Sequence, residues 1–215
     1  LKKFLSYLWP DTKHFYSDIN GTLEVTYING KKVLDTENAN YSYGSLQKIL
    51  EFSLKKVELR AVENILLLGM GGGCVIKSLR ENFDYQKRLV AIEIDPKIIE
   101  IAKIEFGITE SDNQSIIQDD AFLYVKNSKE IFQLIIIDLF IDTHVPKIFY
   151  GAEFCENVSK ILDRKGSIIF NIGIKLEKDS DKSQAIISQF GEDFDFQKHS
   201  NVNGSNILLI GKKKM

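Results

Sequence analysis

Cysteine is nearly absent from this chain: Cys74 and Cys155 are the only two among 215 residues. Two thiols so far apart make neither a disulfide framework nor a zinc-ligand spacing. A reducing cytoplasm is therefore the expected compartment. No apolar run reaches the about eighteen residues of a membrane-spanning helix, so no membrane partner is expected, and no secretory signal pattern is seen. The chain opens on Leu1, which allows for residues ahead of it. Excess charge is also missing. With 28 basic and 30 acidic side chains the net charge is −2, and the pI is about 6.0. That balance leaves no footprint for nucleic acid, and Lys212-Lys213-Lys214 reads as a solvated end. No internal repeat, low-complexity linker, Ser-His-Asp arrangement or Cys/His metal cluster is present, so no metal is expected.

What is present is ordinary in bulk: 44% hydrophobic and 27% charged residues, as in a soluble globule. A chain of this length suggests one domain with a modest appendage and buries roughly 70% of its unfolded surface. Residues 1–43 read as the appendage, a small β module. Thr22–Ile28 alternates like a strand, Lys31–Asp35 returns, and Asn29-Gly30 between them is a strong hairpin signal. The oily Leu1–Trp9, ended by Pro10, reads as a packing arm or a substrate lid.

Residues 44–215 read as the main domain. Gly44–Leu54 places Leu46, Ile49, Leu50 and Leu54 at helical spacing. Strands are then expected at Asn64–Leu68, Arg88–Ile94, Gln114–Gln118, Leu134–Asp138 and Ser167–Ile172. Helices are expected near Cys74–Asn82, Pro96–Phe106, Ala121–Asn127 and Lys147–Leu162, the last one stopped by Gly166. Pro96 suits a first helical turn. Continuous apolar strands such as Leu134–Ile137 suit a parallel sheet covered on both faces. A helix over Ser183–Phe190 and strands at Phe194–His199 and Asn206–Ile210, joined around Asn203-Gly204, add an antiparallel hairpin at the end. The fold class is thus α/β and Rossmann-like.

The first strand runs into Gly69-Met70-Gly71-Gly72-Gly73. Glycines reach positive φ and let a ligand lie on bare backbone, and amides at the next helix start can face it. The Gly-x-Gly-x-x-Gly pattern is imperfect, since Cys74 takes the third glycine's place; a plain tight turn is the alternative. Glu93 ends the second strand, where it is placed to accept both ribose hydroxyls; otherwise it is a surface acid. Asp95 before Pro96 reads as a helix cap. Asp120 either caps the next helix or accepts from an adenine amino group, with the Ala121 amide donating to a ring nitrogen. Asp138, at the carboxyl end of the fourth strand, is placed where a transferred group would emerge; a capping acid is the alternative. Asp142 and His144 are weaker candidates, the latter as a general base. Tyr41-Ser42-Tyr43-Gly44 could close over a cofactor or simply pack. His14 and His199 carry no supporting pattern, and Cys74 reads as a helix-packing residue.

From about Thr22 to Asn171 these blocks resemble the spermidine-synthase-like branch of the Rossmann-like methyltransferase superfamily. Leu66–Gly73, Ile92-Glu93-Ile94-Asp95, Asp119-Asp120-Ala121-Phe122, Leu134–Asp138 and Ile168-Ile169-Phe170 occur in the family's order. The terminal hairpin resembles that superfamily's reversed last strand, and the amino-terminal module is similar to the small first domain of spermidine synthases. The resemblance implies S-adenosylmethionine or its decarboxylated form as cofactor. Gly69, Gly71, Gly72 and Gly73 would face its tail, Glu93 its ribose, and Asp120 with Ala121 its adenine, while Asp138 would act as the catalytic group.

Three departures bear on the reaction. Spermidine synthases carry an aspartate in the glycine turn, where this chain has Gly72. Their fourth-strand loop reads Asp-Ser-Ser/Thr-Asp-Pro, against Asp138-Leu139-Phe140-Ile141-Asp142. Their acidic gate is replaced by Asn38–Ser45. A diamine's buried ammonium groups need paired carboxylates, at roughly 1–3 kcal/mol per charged hydrogen bond. The expectation is therefore a transferase that moves a methyl group from S-adenosylmethionine to an unidentified small acceptor. The alternatives are aminopropyl transfer from decarboxylated S-adenosylmethionine, a dinucleotide-dependent oxidoreductase, and a non-catalytic binding module. A homodimer is compatible with the sequence.

Overall fold

The structure, a computed structural model, describes residues 6–7, 9–36, 40–140, 144–174, 180–204 and 206–214. Four antiparallel strands come first: β1 (Asp11–Ser17), β2 (Gly21–Ile28), β3 (Lys31–Thr36) and β4 (Asn40–Ser42), side by side in that order. The Asn29-Gly30 turn forms as expected, both residues at positive φ, 50° and 72°, as a tight hairpin requires. The hairpin is the centre of a wider sheet. β1 is exposed along most of its polar run, so pairing with β2, not alternation, makes it a strand. Of the Leu1–Trp9 arm, mostly outside the described residues, Ser6 is buried and accepts from the Asn29 and Gly30 amides, whereas Trp9 is exposed.

The rest of the chain alternates: α1 (Gly44–Leu54), β5 (Asn64–Leu68), α2 (Cys74–Glu81), β6 (Arg88–Glu93), α3 (Pro96–Phe106), β7 (Gln114–Gln118), α4 (Ala121–Asn127), β8 (Phe132–Ile137), α5 (Ala152–Ile161), β9 (Leu162–Ile174), α6 (Ser180–Phe190), β10 (Phe194–Val202) and β11 (Asn206–Lys213). The seven strands lie in the order β10-β11-β9-β8-β5-β6-β7. β11 runs antiparallel to both neighbours and the other pairings are parallel. This is the expected Rossmann-like sheet with its reversed last strand. Odd and even positions face opposite ways on a strand. Ile65, Leu67, Leu89, Ala91, Leu134 and Ile136 meet residues of α1 and α2. Leu66, Leu68, Val90, Ile92, Ile135 and Ile137 meet α4, α5 and α6. Two apolar faces explain why these strands carry almost no polar residue.

The four-stranded sheet docks on α3. Leu23, Val25 and Leu34 pack against Ile98 and Ile101. Beside them the buried Glu105 carboxylate receives Lys13 Nζ at 2.6 Å and Lys32 Nζ at 2.9 Å. Asp95 caps α3 through the Lys97 amide at 2.8 Å, as its sequence context implies, and also accepts from the Ser17 hydroxyl and from Asn20 Nδ2 at 2.6 Å.

Some expectations need correction. The helix over Lys147–Leu162 is two pieces, a 3-10 turn at Lys147–Tyr150 and α5, parted at Gly151. Gly166 does not stop that helix. It lies inside β9, where a Cβ would stand 2.7 Å from the Leu162 side chain. Lys212 and Lys213 belong to β11 and are not a loose end; Lys213 Nζ donates to the Ser159 carbonyl at 2.8 Å. Among the described residues no helix is long and apolar enough to cross a membrane.

Candidate active site

In this sheet the chain leaves β5 to one side for β6 and β7, then returns to the other side for β8 and β9. The carboxyl ends of β5 and β8 therefore flank the switch point, where α/β sheets bind their ligands. The glycine turn fills the end of β5. The Gly69 and Met70 amides both donate to the Ile92 carbonyl, at 3.0 and 3.1 Å, tying the turn to β6. Gly69 has φ 86°, and a Cβ there would lie 2.2 Å from the Asp138 backbone oxygen. A Cβ on Gly72 would lie 2.9 Å from Ser42 Cβ, and one on Gly73 would lie 2.5 Å from Ile108 Cγ1. Packing within the protein thus accounts for the smallness of these three glycines.

Glu93 is 4% exposed. Its Oε2 accepts from the Gly71 amide at 2.9 Å and its Oε1 from the Asp95 amide at 3.1 Å. Burial pushes its pKa up to about 7, against the pull of those amides. The bland reading of Glu93 as a surface acid is excluded: the carboxyl sits under the turn, braced by main chain. Because Asp95 is itself held by Ser17 and Asn20, the four-stranded sheet reaches this carboxylate through one residue.

Asp120 caps α4, its Oδ1 accepting from the Leu123 amide at 3.0 Å, and Ala121 behind it is buried. Asp119 Oδ1 accepts from the Asp120 amide at 2.8 Å. The capping reading of Asp120 is therefore realised, with one carboxylate oxygen engaged by it.

Asp138 stands just past β8, which ends at Ile137, one residue short of the strand end expected from sequence. Its amide donates to the Leu68 carbonyl at 2.9 Å, next to Gly69. Its Oδ1 accepts from Asn171 Nδ2 at 2.8 Å. Burial raises its pKa to about 6, and the Asn171 hydrogen bond restrains the rise. Asn171 was not among the residues singled out from sequence. The signal for it is a lone amide in the apolar run Ile168-Ile169-Phe170-Asn171-Ile172.

Other candidates fall elsewhere. Tyr43 packs rather than closing from outside. It is buried, stacks on Phe106 with ring centroids 4.4 Å apart, and donates to the Gly72 carbonyl at 3.0 Å. It holds φ 74° and ψ −168° at the start of α1, a region that strains any side-chain-bearing residue. Cys74 is buried, its thiol pushed up to about 11 chiefly by burial, which fits packing. His144 is exposed and Asp142 lies outside the described residues. His14 pairs with Glu24 at 3.3 Å, and His199 meets the edge of Phe52. Among the described residues no group of His, Cys, Asp and Glu could hold a metal.

The strand order and glycine turn define a Rossmann-like fold of the methyltransferase type. Human methyltransferase-like protein 13, solved in complex with SAH, superposes with a TM-score of 0.67 at 19% identity, covering 80% of this chain and 83% of that one. A probable spermidine synthase from Corynebacterium glutamicum gives 0.66 at 17%, covering 95% of this chain and 77% of that one. At such identities these likenesses speak for the fold alone. The family is shown by sequence: residues 49–194 match the spermine/spermidine synthase domain, and the chain belongs to that family. A polyamine aminopropyltransferase from Vibrio vulnificus is 27% identical over 150 residues, 68% of this chain and 50% of that protein. The chain spans about half the length of that curated relative.

These findings overturn the expectation of methyl transfer. That expectation leaned on three short departures, at Gly72, in the loop after Asp138 and in Asn38–Ser45. The family match rests on the ordered pattern of a whole domain and favours the aminopropyltransferase alternative. One departure has a local cause in the packing. At Gly72 the space a side chain would need is taken by Ser42 and by Leu34 Cδ2, which lies 3.3 Å from where a Cβ would stand.

Proposed function

We propose that this protein is a transferase that moves the aminopropyl group of decarboxylated S-adenosylmethionine to an amine acceptor. The observation that carries the reading is a pair of carboxylates, the buried Glu93 at the end of β6 and the half-buried Asp138 just past β8, on either side of the glycine turn that follows β5. Glu93 has the burial and bracing suited to accepting the ribose hydroxyls. Asp120 and the Ala121 amide would meet the adenine. Gly69, Gly71, Gly72 and Gly73 would form the wall along the donor's tail. Asp138 would orient the acceptor nitrogen and take its proton.

In the transfer, the nitrogen lone pair forms a bond to the aminopropyl carbon next to sulfur. The carbon–sulfur bond breaks, its electrons neutralise the sulfonium, and the nitrogen sheds a proton. The sulfonium already activates that carbon, so the chain's task is alignment and exclusion of water. The residue at 72 offers no carboxylate to the donor's amine, so recognition of the donor rests on its nucleoside half.

The test is incubation with decarboxylated S-adenosylmethionine and putrescine, with mass-spectrometric analysis of the polyamine and thioether products. Formation of both in equal amounts supports the reading. A folded protein that yields neither, with putrescine or with a panel of longer amines, refutes it.

A further inference from the structure

Asn171 is completely buried at the carboxyl end of β9, beside Asp138 at the end of β8. Its Nδ2 donates to Asp138 Oδ1 at 2.8 Å. Its Oδ1 accepts twice, from the Gly173 amide at 3.1 Å and from Asn206 Nδ2 at 3.2 Å. Two donors on the carbonyl side fix which way the amide points, since a flipped group would set its NH2 against them. The backbone supports the same arrangement. Between Ile207 and Leu208 of β11 the partner on β9 jumps from Gly173 to Asn171, leaving Ile172 as an extra residue. Gly173 takes φ 95° there. Bulges of this kind re-aim side chains next to active sites.

We infer that Asn171 is a positioning residue for Asp138: it holds Oδ1 and leaves Oδ2 for the acceptor, while Asn206, from the reversed strand, holds Asn171. This rests on the reading of Asp138 as the acceptor-side acid. Among the described residues, Asn171 is the donor to this carboxylate. The Asp138 charge also helps raise the Cys74 thiol at the start of α2. The Cys74 thiol stays protonated wherever Asp138 titrates, so the titration reports on Asn171.

The experiment follows the Asp138 carboxyl by carbon NMR against pH, assigned with Asp138→Asn, in the wild type, Asn171→Ala and Asn206→Ala. Loss of the Asn171 amide removes a donor to the charged form, so the midpoint should rise by about one pH unit or more. Asn206→Ala should move it the same way by less. In the transfer assay the acid limb of kcat should rise in step, with KM for the donor unchanged. An unmoved midpoint in folded Asn171→Ala overturns the inference, as does a raised donor KM with kcat intact. Should Asn171→Ala fail to fold, Asn206→Ala decides on the same midpoint. A wild type that makes no product refutes aminopropyl transfer alone, because the NMR midpoint still decides whether Asn171 holds Asp138.

Discussion

Glu93→Gln should flatten the pH dependence of stability. In the unfolded chain this carboxyl loses its proton near the ordinary 4.5; in the folded protein it does so near 7. Between those values the native state holds the extra proton, so stability falls as pH rises through the window and levels off above it. At about 1.4 kcal/mol for each pH unit, the loss is roughly 3 kcal/mol. Glutamine keeps the shape but does not titrate. It also sets an NH2 against one of two amide donors, Gly71 or Asp95, a cost of about 1–3 kcal/mol that is independent of pH. Urea unfolding at about pH 4.5, 6 and 8, with equal m-values, separates the two effects. The variant should be less stable than wild type at the low end and should close or reverse the gap at the high end. Parallel curves for the two proteins would show that Glu93 does not titrate in the window its burial implies. The donor's ribose hydroxyls would favour the charged form, so donor affinity should rise with pH up to about 7 in wild type and not in the variant.

Two further outcomes follow from packing and charge. Gly72→Asp restores the family's acid in sequence but not in space: its Cβ would stand 2.9 Å from Ser42 Cβ. Overpacking of this kind costs about 1–3 kcal/mol, so thermal unfolding should show a loss and titration calorimetry no gain in affinity for the donor. Glu105→Gln leaves Lys13 and Lys32 without their buried partner. Limited proteolysis should then cut within β1–β3 sooner than in wild type. The hydrogen bonds from those lysines hold Glu105 below the usual carboxylate range. Their stabilisation is therefore present above about pH 4.5 and lost as the solution is acidified, and wild type at low pH should be cut like the variant at neutral pH.

The main sheet was legible because both its faces are covered. A strand such as Ile65–Leu68 has no polar position to confuse with a surface, and Asp95-Pro96 and Asp120 announce the helices they cap. β1 was not legible, since its exposed residues gain strand structure only from pairing with β2. Glu93, Asp120 and Asp138 could be named as candidates from their place at or just past a strand end. Their supports could not. The Asn206 contact that fixes Asn171 spans 35 residues, and the contact of Ser42 with the site of Gly72 joins the two sheets. No local pattern carries such distances. The weight given to Gly72 in expecting methyl transfer reflects this, because the neighbour that occupies its side-chain space comes from a strand the sequence did not display.

The attachment of the first sheet sets a limit on dissection. Asp95 answers to Ser17, Asn20 and Lys97 with its carboxylate and to Glu93 with its amide, and Glu105 answers to two lysines from the same sheet. A version trimmed to begin at α1 would keep every strand of the larger sheet yet leave Glu105 without its two lysines and Asp95 with the Lys97 amide alone on its carboxylate, and it would uncover the flank of the glycine turn. The unit that keeps these acids paired is therefore longer than the unit a topology diagram would cut out.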